Sequence, residues 1–269
     1  MMVKIKMHAM YDHFPDRHPV EGEPYLNFYS DSHIFECKSY DKRNVAMLLE
    51  PRSMLGKAYD YVLAHPNYFG AIFTHDSEIL THYDHAHELI WADVWLTTES
   101  EKTKGISLCT SPKNWCPLHN ARLELYNYFK GDHNVDTFYG DWNNPKLLQI
   151  LPADYLEHYK YSIIIENDID DLWYTEKILN CFATKTVPIY VGSPMIKDIF
   201  DDEGIIQVDD WRAIPQIVEA LCFRGLDYDY AARQQAIENN FKAVEPYKVP
   251  WKERFFRDYE PLLEELLNG

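Results

Sequence analysis

The sequence predicts an α/β protein built on parallel sheets, and three observations carry that prediction. Residues 161–165 form a continuous β-branched and aromatic run of the kind that is buried on both faces of a parallel sheet. A charged loop, a helical stretch and a second apolar run, Val187 to Val191, follow directly and complete a strand–helix–strand unit. The amino-terminal part shows the same βαβ progression, and 269 residues hold two domains of about 100 to 150 residues with ample cores.

Val3 to Met10 reads as the first strand and lacks the apolar core of a signal peptide. Residues 11–32 are acidic and aromatic, contain Pro15, Pro19 and Pro24, and read as an irregular loop. His33 to Cys37 and Asn44 to Leu49 read as short strands. Residues 51–65 read as a helix, Tyr68 to Phe73 as a strand, and Ser77 to His82 as a helix or turn. The polar, turn-rich stretch around Glu101 is the best candidate for a linker, which sets domains at 1-103 and 104-248. In the second domain Gly105 to Cys109 and Val135 to Tyr139 are strands, and Pro117 to Phe129 and Leu147 to Leu156 are helices. The strand–helix–strand unit comes next, then a short helix, a strand from Gly204 to Val208 and the final helices. Residues 249-269 form a mixed-charge helix on which Trp251, Phe255, Phe256, Tyr259, Leu262, Leu263 and Leu266 recur at helical spacing. That pattern predicts a helix packing back on the body of the protein. The alternative, docking on a membrane, is opposed by its acidic residues. No internal repeat or low-complexity tract is present.

The chemistry concentrates after residue 165. Glu166, Asn167, Asp168, Asp170 and Asp171 crowd the carboxyl end of a buried strand, a density that suits a strand-end loop facing a ligand. A helix starting near Trp173, capped by Asp170 or Asp171, carries Tyr174, Glu176 and Lys177 in its first turn. Ligands of parallel sheets bind at the carboxyl ends of strands, and helix amino termini favour anions. Tyr174 and Lys177, three positions apart, share a helical face and would address a phosphate. Glu176 would accept from the paired hydroxyls of a ribose or sugar. The plainer alternative is an exposed ion-pair network of Glu166, Glu176 and Lys177.

Ile165-Glu166-Asn167, six further residues, then Tyr174-Thr175-Glu176-Lys177-Ile178, followed by VPIYVGSP over 187–194, resembles the signature of the α-1,3-fucosyltransferases of glycosyltransferase family 10. Ser107 to Arg122 resembles the family's segment ending in a phosphate-binding arginine, and Lys42 to Pro51 its strand ending in the glutamate proposed as catalytic base. The resemblance implies a GT-B-type fold, two Rossmann-like domains facing a cleft, and an inverting transfer of fucose from GDP-fucose to a glycan hydroxyl. It implies Glu50 as the base, with Arg122, Glu166, Asn167, Tyr174, Glu176 and Lys177 on the nucleotide-sugar donor. No cofactor or metal is expected, since Arg122, Lys177, Tyr174 and the helix amino terminus could stabilise the departing diphosphate without a divalent ion. Membrane anchors and stems of Golgi members are not seen here, which leads to the expectation of a soluble bacterial or viral enzyme in the cytoplasm. Two other readings stay open: the same fold with another GDP- or UDP-sugar, motivated by the acidic loop, and a non-catalytic nucleotide-sugar or glycan-binding module.

Composition narrows the partners. A net charge of −17 argues against nucleic acid and anionic membranes, which need a basic face. An acidic protein that binds a diphosphate must gather its cations locally, and Arg122 and Lys177 are best placed, ahead of Lys104, Lys113 and Lys160. Five scattered cysteines indicate neither a disulfide framework nor a zinc site, and Cys181 reads as a packing residue. His75, Asp76, His82, Asp84, His85, His87 and Glu88 crowd one segment, but their spacing fits no helical zinc motif. Structural or acceptor-side roles suit them better, and a metal site is the alternative.

Overall fold

The computed structural model of the chain describes residues 2–140 and 149–269. It separates into two compact units, the first comprising Met1–Trp91, Asp170–Trp173 and Pro250–Gly269, the second Ala92–Ile169 and Tyr174–Val249. Each is an α/β unit on a parallel sheet. Among the described residues no helix is long and apolar enough to cross a membrane.

In the first unit β1 (Ile5–His8), β2 (Leu26–Ser30), β3 (Asn44–Met47), β4 (Ala71–Thr74) and β5 (Ala86–Glu88) lie side by side in chain order, every pair parallel. Helix α1 (Arg52–Ala64) connects β3 to β4, and α2 (Ser77–His82) connects β4 to β5. Strands β3 and β4 are buried along their whole length because both faces are covered. Val45, Met47 and Phe73 pack with Trp251, Phe255 and Leu263 of the C-terminal helix (Trp251–Asn268), while Ala46, Leu48 and Ile72 pack with Ile34, Ala58 and Val62. This two-residue alternation is the strand periodicity itself.

Three expectations in this unit are corrected. Strand β2 lies inside the stretch read as an irregular loop. Its Leu26 and Phe28 point into the core, and its ladders to β1 and β3 supply what its short, proline-flanked sequence does not advertise. Residues 33–37 are not a strand: Asp31–Glu36 is a 3-10 helix that buries Ile34. Asp31 starts it at φ 51, and its Oδ1 accepts from the Leu49 and Glu50 N–H groups at 2.8 and 3.2 Å. Strand β5 was not foreseen in the His- and Asp-rich segment and exists by pairing with β4.

The second unit contains β6 (Lys104–Thr110), α3 (Pro117–Phe129), β7 (Val135–Tyr139), α4 (Pro152–Leu156), β8 (Tyr159–Ile165), α5 (Glu176–Ala183) and β9 (Val187–Val191). These are followed by α6 (Ile196–Ile199), β10 (Ile206–Gln207), α7 (Ile214–Arg224), α8 (Leu226–Ala232) and α9 (Gln234–Ala243). The sheet order is β10-β9-β8-β6-β7, all parallel. After β6 the chain goes to one side, to β7, then returns to the other, to β8. The carboxyl ends of β6 and β8 therefore form the topological switch point where open parallel sheets bind ligands. The helix expected from Leu147 begins at Pro152, where Asp154 accepts from the Leu151 N–H at 2.7 Å, and Leu147 and Leu148 lie outside the described residues.

The division between units also differs from 1-103, 104-248 and 249-269. Residues 97–103 have linker-like polar side chains, yet they and the segment leading into them are tied to the second unit. The Trp95 and Leu96 N–H groups donate to Asn180 Oδ1 at 2.8 and 3.1 Å, and Val94 N–H to the Tyr247 carbonyl at 2.9 Å. The Lys102 ammonium is bound by the Leu156 and Glu157 carbonyls and the Thr186 hydroxyl, and burial lowers its pKa to about 8. The final helix packs back on the body of the protein, as its apolar stripe predicts, and falls in the first unit, with Phe255 ringed by Phe14, Phe28, Phe73, Phe256 and Tyr259 at centroid distances of 4.8–6.2 Å. Phe255→Ala is expected to cost about 3–5 kcal/mol of stability, read as a lowered midpoint in urea unfolding.

Candidate active site

Glu166 follows β8 immediately, and its N–H still donates to the Val191 carbonyl at 2.8 Å. Its side chain is fully buried. The carboxylate accepts from the Thr175 N–H at 3.0 Å, from the Thr175 hydroxyl at 2.9 Å and from the Lys177 ammonium at 3.2 Å. Thr175 is the N-cap of α5, its Oγ1 accepting from the Lys177 N–H at 3.4 Å and from Lys177 Nζ at 2.8 Å. Lys177 Nζ also reaches Glu176 at 3.3 Å. Burial pulls the Lys177 pKa down, but Glu166 and Glu176 outweigh it and the net shift is upward. The ammonium is held charged.

The expected helix start near Trp173 is corrected by this arrangement. Asp170 accepts from the Leu172 N–H at 3.4 Å and Asp168 from the Ile169 N–H at 2.9 Å, so both serve the loop while Thr175 caps the helix. Tyr174 precedes the cap and does not share a helical face with Lys177. Its hydroxyl lies 2.8 Å from that of Tyr247, and its ring packs edge-on against Phe200. The strand end of β9 closes against the same carboxylate: a Cβ on Gly192 would come within 2.2 Å of the Tyr190 hydroxyl and 2.8 Å of Glu166 Cγ.

Arg122 lies in the second turn of α3, the helix that follows β6. Its Nε and Nη2 are buried and have no hydrogen-bond partner among the described residues. Burial lowers its pKa, while the charges of Glu166 and Glu176 act to raise it without bonding it. One turn earlier, buried His119 accepts the Trp115 N–H on Nδ1 at 3.2 Å, so its proton sits on Nε2. Burial, then the charges of Arg122, Lys113 and Lys177, push its pKa down to about 4. His119 was not singled out from the sequence, although its spacing of three from Arg122 places it on the same helical face. Arg122, Glu166, Glu176 and Lys177 thus come together at the switch point, with Asn167 one residue beyond Glu166. Lys104 and Lys160 sit toward the amino ends of β6 and β8, Lys104 over the Tyr159 ring and Lys160 on Asp227 at 3.0 Å, and Lys113 lies over Trp115. Cys181 is wholly buried.

Glu50 belongs to the first unit, three residues past the end of β3. Its N–H donates to Asp31 and its carbonyl accepts from the Tyr59 hydroxyl at 2.6 Å. The His- and Asp-rich segment is spread over several tasks. Asp76 caps α2 and pairs with Arg52, His82 meets the Glu78 carbonyl, His85 the Pro66 carbonyl, and His87 packs at a tilt against Phe73. Among the described residues no three His, Cys, Asp or Glu side chains converge as a metal site.

Gly192→Ala forces either Tyr190 or Glu166 to move and is expected to cost about 1–3 kcal/mol, read by thermal unfolding. Stability should also decline in mild acid. His75 is lowered to about 4 by burial, as is His119, against an ordinary 6.5. Between pH 6.5 and about 4 the unfolded chain takes up protons that these folded rings refuse. Their contribution is therefore complete above pH 6.5 and falls by at most about 3 kcal/mol each as the pH drops toward 4. Asp31, whose pKa burial raises, acts in the opposite sense. Unfolding midpoints across this range check the sign, and His119→Asn should flatten the profile.

The family model for the C-terminal part of glycosyltransferase family 10 (fucosyltransferase) matches residues 100–235. The α-(1,3)-fucosyltransferase FucT of Helicobacter pylori is 29% identical over 66 residues, 24% of this chain and 14% of its own length. The human 4-galactosyl-N-acetylglucosaminide 3-α-L-fucosyltransferase 9 is 25% identical over 119 residues, 42% of this chain and 32% of its own. The matched segment thus spans under a third of either relative. A crystal structure of an α1,3-fucosyltransferase with GDP superimposes with a TM-score of 0.59 at 13% identity, covering 97% of this chain and 90% of that one. That likeness places the fold in the GT-B class. With about half the chain matched by the family model, including the strand–helix–strand unit built around Glu166 and Lys177, the chain belongs to glycosyltransferase family 10, the fucosyltransferase family.

Proposed function

We propose that the protein is an inverting glycosyltransferase that transfers fucose from GDP-fucose to a glycan hydroxyl. The observation that carries this reading is the buried Arg122 guanidinium, two of whose nitrogens find no partner among the described residues, beside Lys177 at the switch point of a parallel sheet. A buried cation with unspent donors is complementary to an anion, and a planar guanidinium suits two phosphate oxygens. The chain's membership of the fucosyltransferase family, together with its likeness in fold to an α1,3-fucosyltransferase solved with GDP, supports a nucleoside diphosphate as that anion.

The roles follow from the donor's chemistry. An acceptor oxygen forms a bond to the anomeric carbon as the bond from that carbon to the diphosphate oxygen breaks, and GDP leaves with the electron pair. Glu50 takes the acceptor's proton, a role worth roughly 100- to 10,000-fold for a general base. Arg122, Lys177 and the amino terminus of α5 stabilise the charge growing on the diphosphate. Glu176 and Asn167 hold sugar hydroxyls. Glu166 acts by fixing Thr175 and Lys177, and Tyr174 by bracing the loop against Tyr247. These two cations supply the neutralisation that divalent ions give other nucleotide-sugar enzymes, so no cofactor is required. Calorimetric titration with GDP and UDP, with and without EDTA, tests this. GDP should bind regardless of EDTA, and Arg122→Gln should weaken it about 10- to 100-fold by removing charge-assisted hydrogen bonds. A preference for UDP would transfer the reading to another nucleotide sugar, and no nucleotide binding would end it.

A further inference from the structure

We propose that His75, acting through the Tyr59 hydroxyl, is a positioning residue for Glu50. The inference rests on the reading of Glu50 as the base. Glu50 stands beyond the last ladder bond of its strand, in which the Leu48 N–H donates to the Phe73 carbonyl, so the sheet does not hold its backbone. Side chains from elsewhere in the first unit do. Asp31 accepts from the Leu49 and Glu50 N–H groups, and the Tyr59 hydroxyl lies 2.6 Å from the Glu50 carbonyl.

Proton accounting fixes the rest of the chain. A carbonyl only accepts, so the single Tyr59 proton goes to Glu50. His75 Nε2, 3.3 Å from the same phenolic oxygen, must then donate, which sets the Nε2–H tautomer and leaves Nδ1 a bare acceptor. Nδ1 is buried and has no partner among the described residues. The His75 ring is 2% exposed and covered by the Trp173 indole at a centroid distance of 4.4 Å. Leucine or phenylalanine would fill this space without an orphaned nitrogen. What imidazole adds is the Nε2–H bond that orients Tyr59. The surroundings support one protonation state: Arg52 lies over the Tyr59 ring at 5.1 Å and opposes a second positive charge on His75, and burial outweighs the opposite pull of Asp76. Burial, and then the charges of Asp76, Asp31 and Asp170, keep the Tyr59 phenol protonated. Because misplacing a catalytic group by about 1 Å costs on the order of 100-fold in rate, a clamp on both backbone groups of a base has a catalytic consequence.

The test uses the full chain as Tyr59→Phe, His75→Leu and His75→Gln, the last keeping an N–H where Nε2 stands. With GDP-fucose and a 4-galactosyl-N-acetylglucosaminide as probe substrates, Tyr59→Phe and His75→Leu should lower kcat about 10- to 100-fold. The KM for GDP-fucose and the Kd for GDP should stay within about twofold, and His75→Gln should recover most of the loss. Unchanged kcat in both variants, or a His75→Gln variant no better than His75→Leu, overturns the proposal. If the wild type binds GDP but transfers no fucose, it is the reading of Glu50 as base that fails. The clamp is then judged by hydrogen exchange at the Glu50 amide and by the 15N signals of His75. Faster exchange in His75→Leu with an Nε2–H wild-type tautomer supports it, and unaltered exchange or an Nδ1–H tautomer overturns it.

Discussion

The second unit depends on a carboxylate with no access to water. Moving an ionised carboxylate into a protein interior costs several kcal/mol unless it is paired and hydrogen-bonded. Glu166 is both, through Thr175 and Lys177. The same Thr175 caps α5, so the group that satisfies the carboxylate also starts the helix. Through its backbone Glu166 still belongs to the β8–β9 ladder, and Gly192 lets β9 end directly against it. One buried charge therefore sets the end of two strands and the start of a helix.

The charges left over define what the site can bind. Lys177 is committed to Glu166 and Glu176, whereas Arg122 shares their field without a bond from either. His119 is neutral and presents a donor on Nε2. In a chain carrying 43 acidic and 26 basic residues, what an anionic ligand would meet here is a pair of cations, of which Arg122 has donors to spare among the described residues. Its position has a topological cause, since α3 and α5 diverge from adjacent strands whose connections run to opposite sides of the sheet.

The first unit solves a different problem. Its strands run in chain order, so no switch point arises within the sheet. Polar groups beyond the strand ends are instead held by side chains: Asp31 on two N–H groups, Tyr59 on a carbonyl, Asp76 on the first turn of α2 and on Arg52. The C-terminal helix covers one sheet face with aromatic residues, and Arg17 joins it to the amino-terminal loop by stacking 3.3 Å from the Phe256 centroid and pairing with Glu260 at 2.9 Å.

By itself the sequence determined the elements whose periodicity is strong. The buried runs of β6, β8 and β9, the helix Pro117–Phe129 and the aromatic stripe at 251–266 were legible because each buries a face that local spacing already marks. It also determined the chemistry at the end of β8, since only a ligand-facing loop or a paired network accommodates Glu166, Glu176 and Lys177 so close together. Tertiary structure decided what depends on a partner far away in the chain. Strand β2 lies in a stretch punctuated by prolines and β5 has only three residues, so neither declares itself, and both exist through their neighbours' ladders. Residues 33–37 look like a strand but turn because Asp31 meets the amides of residues 49 and 50. Whether a polar residue is a free ligand or a strut was likewise a tertiary matter: Glu166 and Tyr174 proved engaged with Thr175, Lys177 and Tyr247, while Arg122 kept two nitrogens without a partner among the described residues. A side chain's hydrogen-bond partners are set by packing across the fold, which local sequence spacing does not encode.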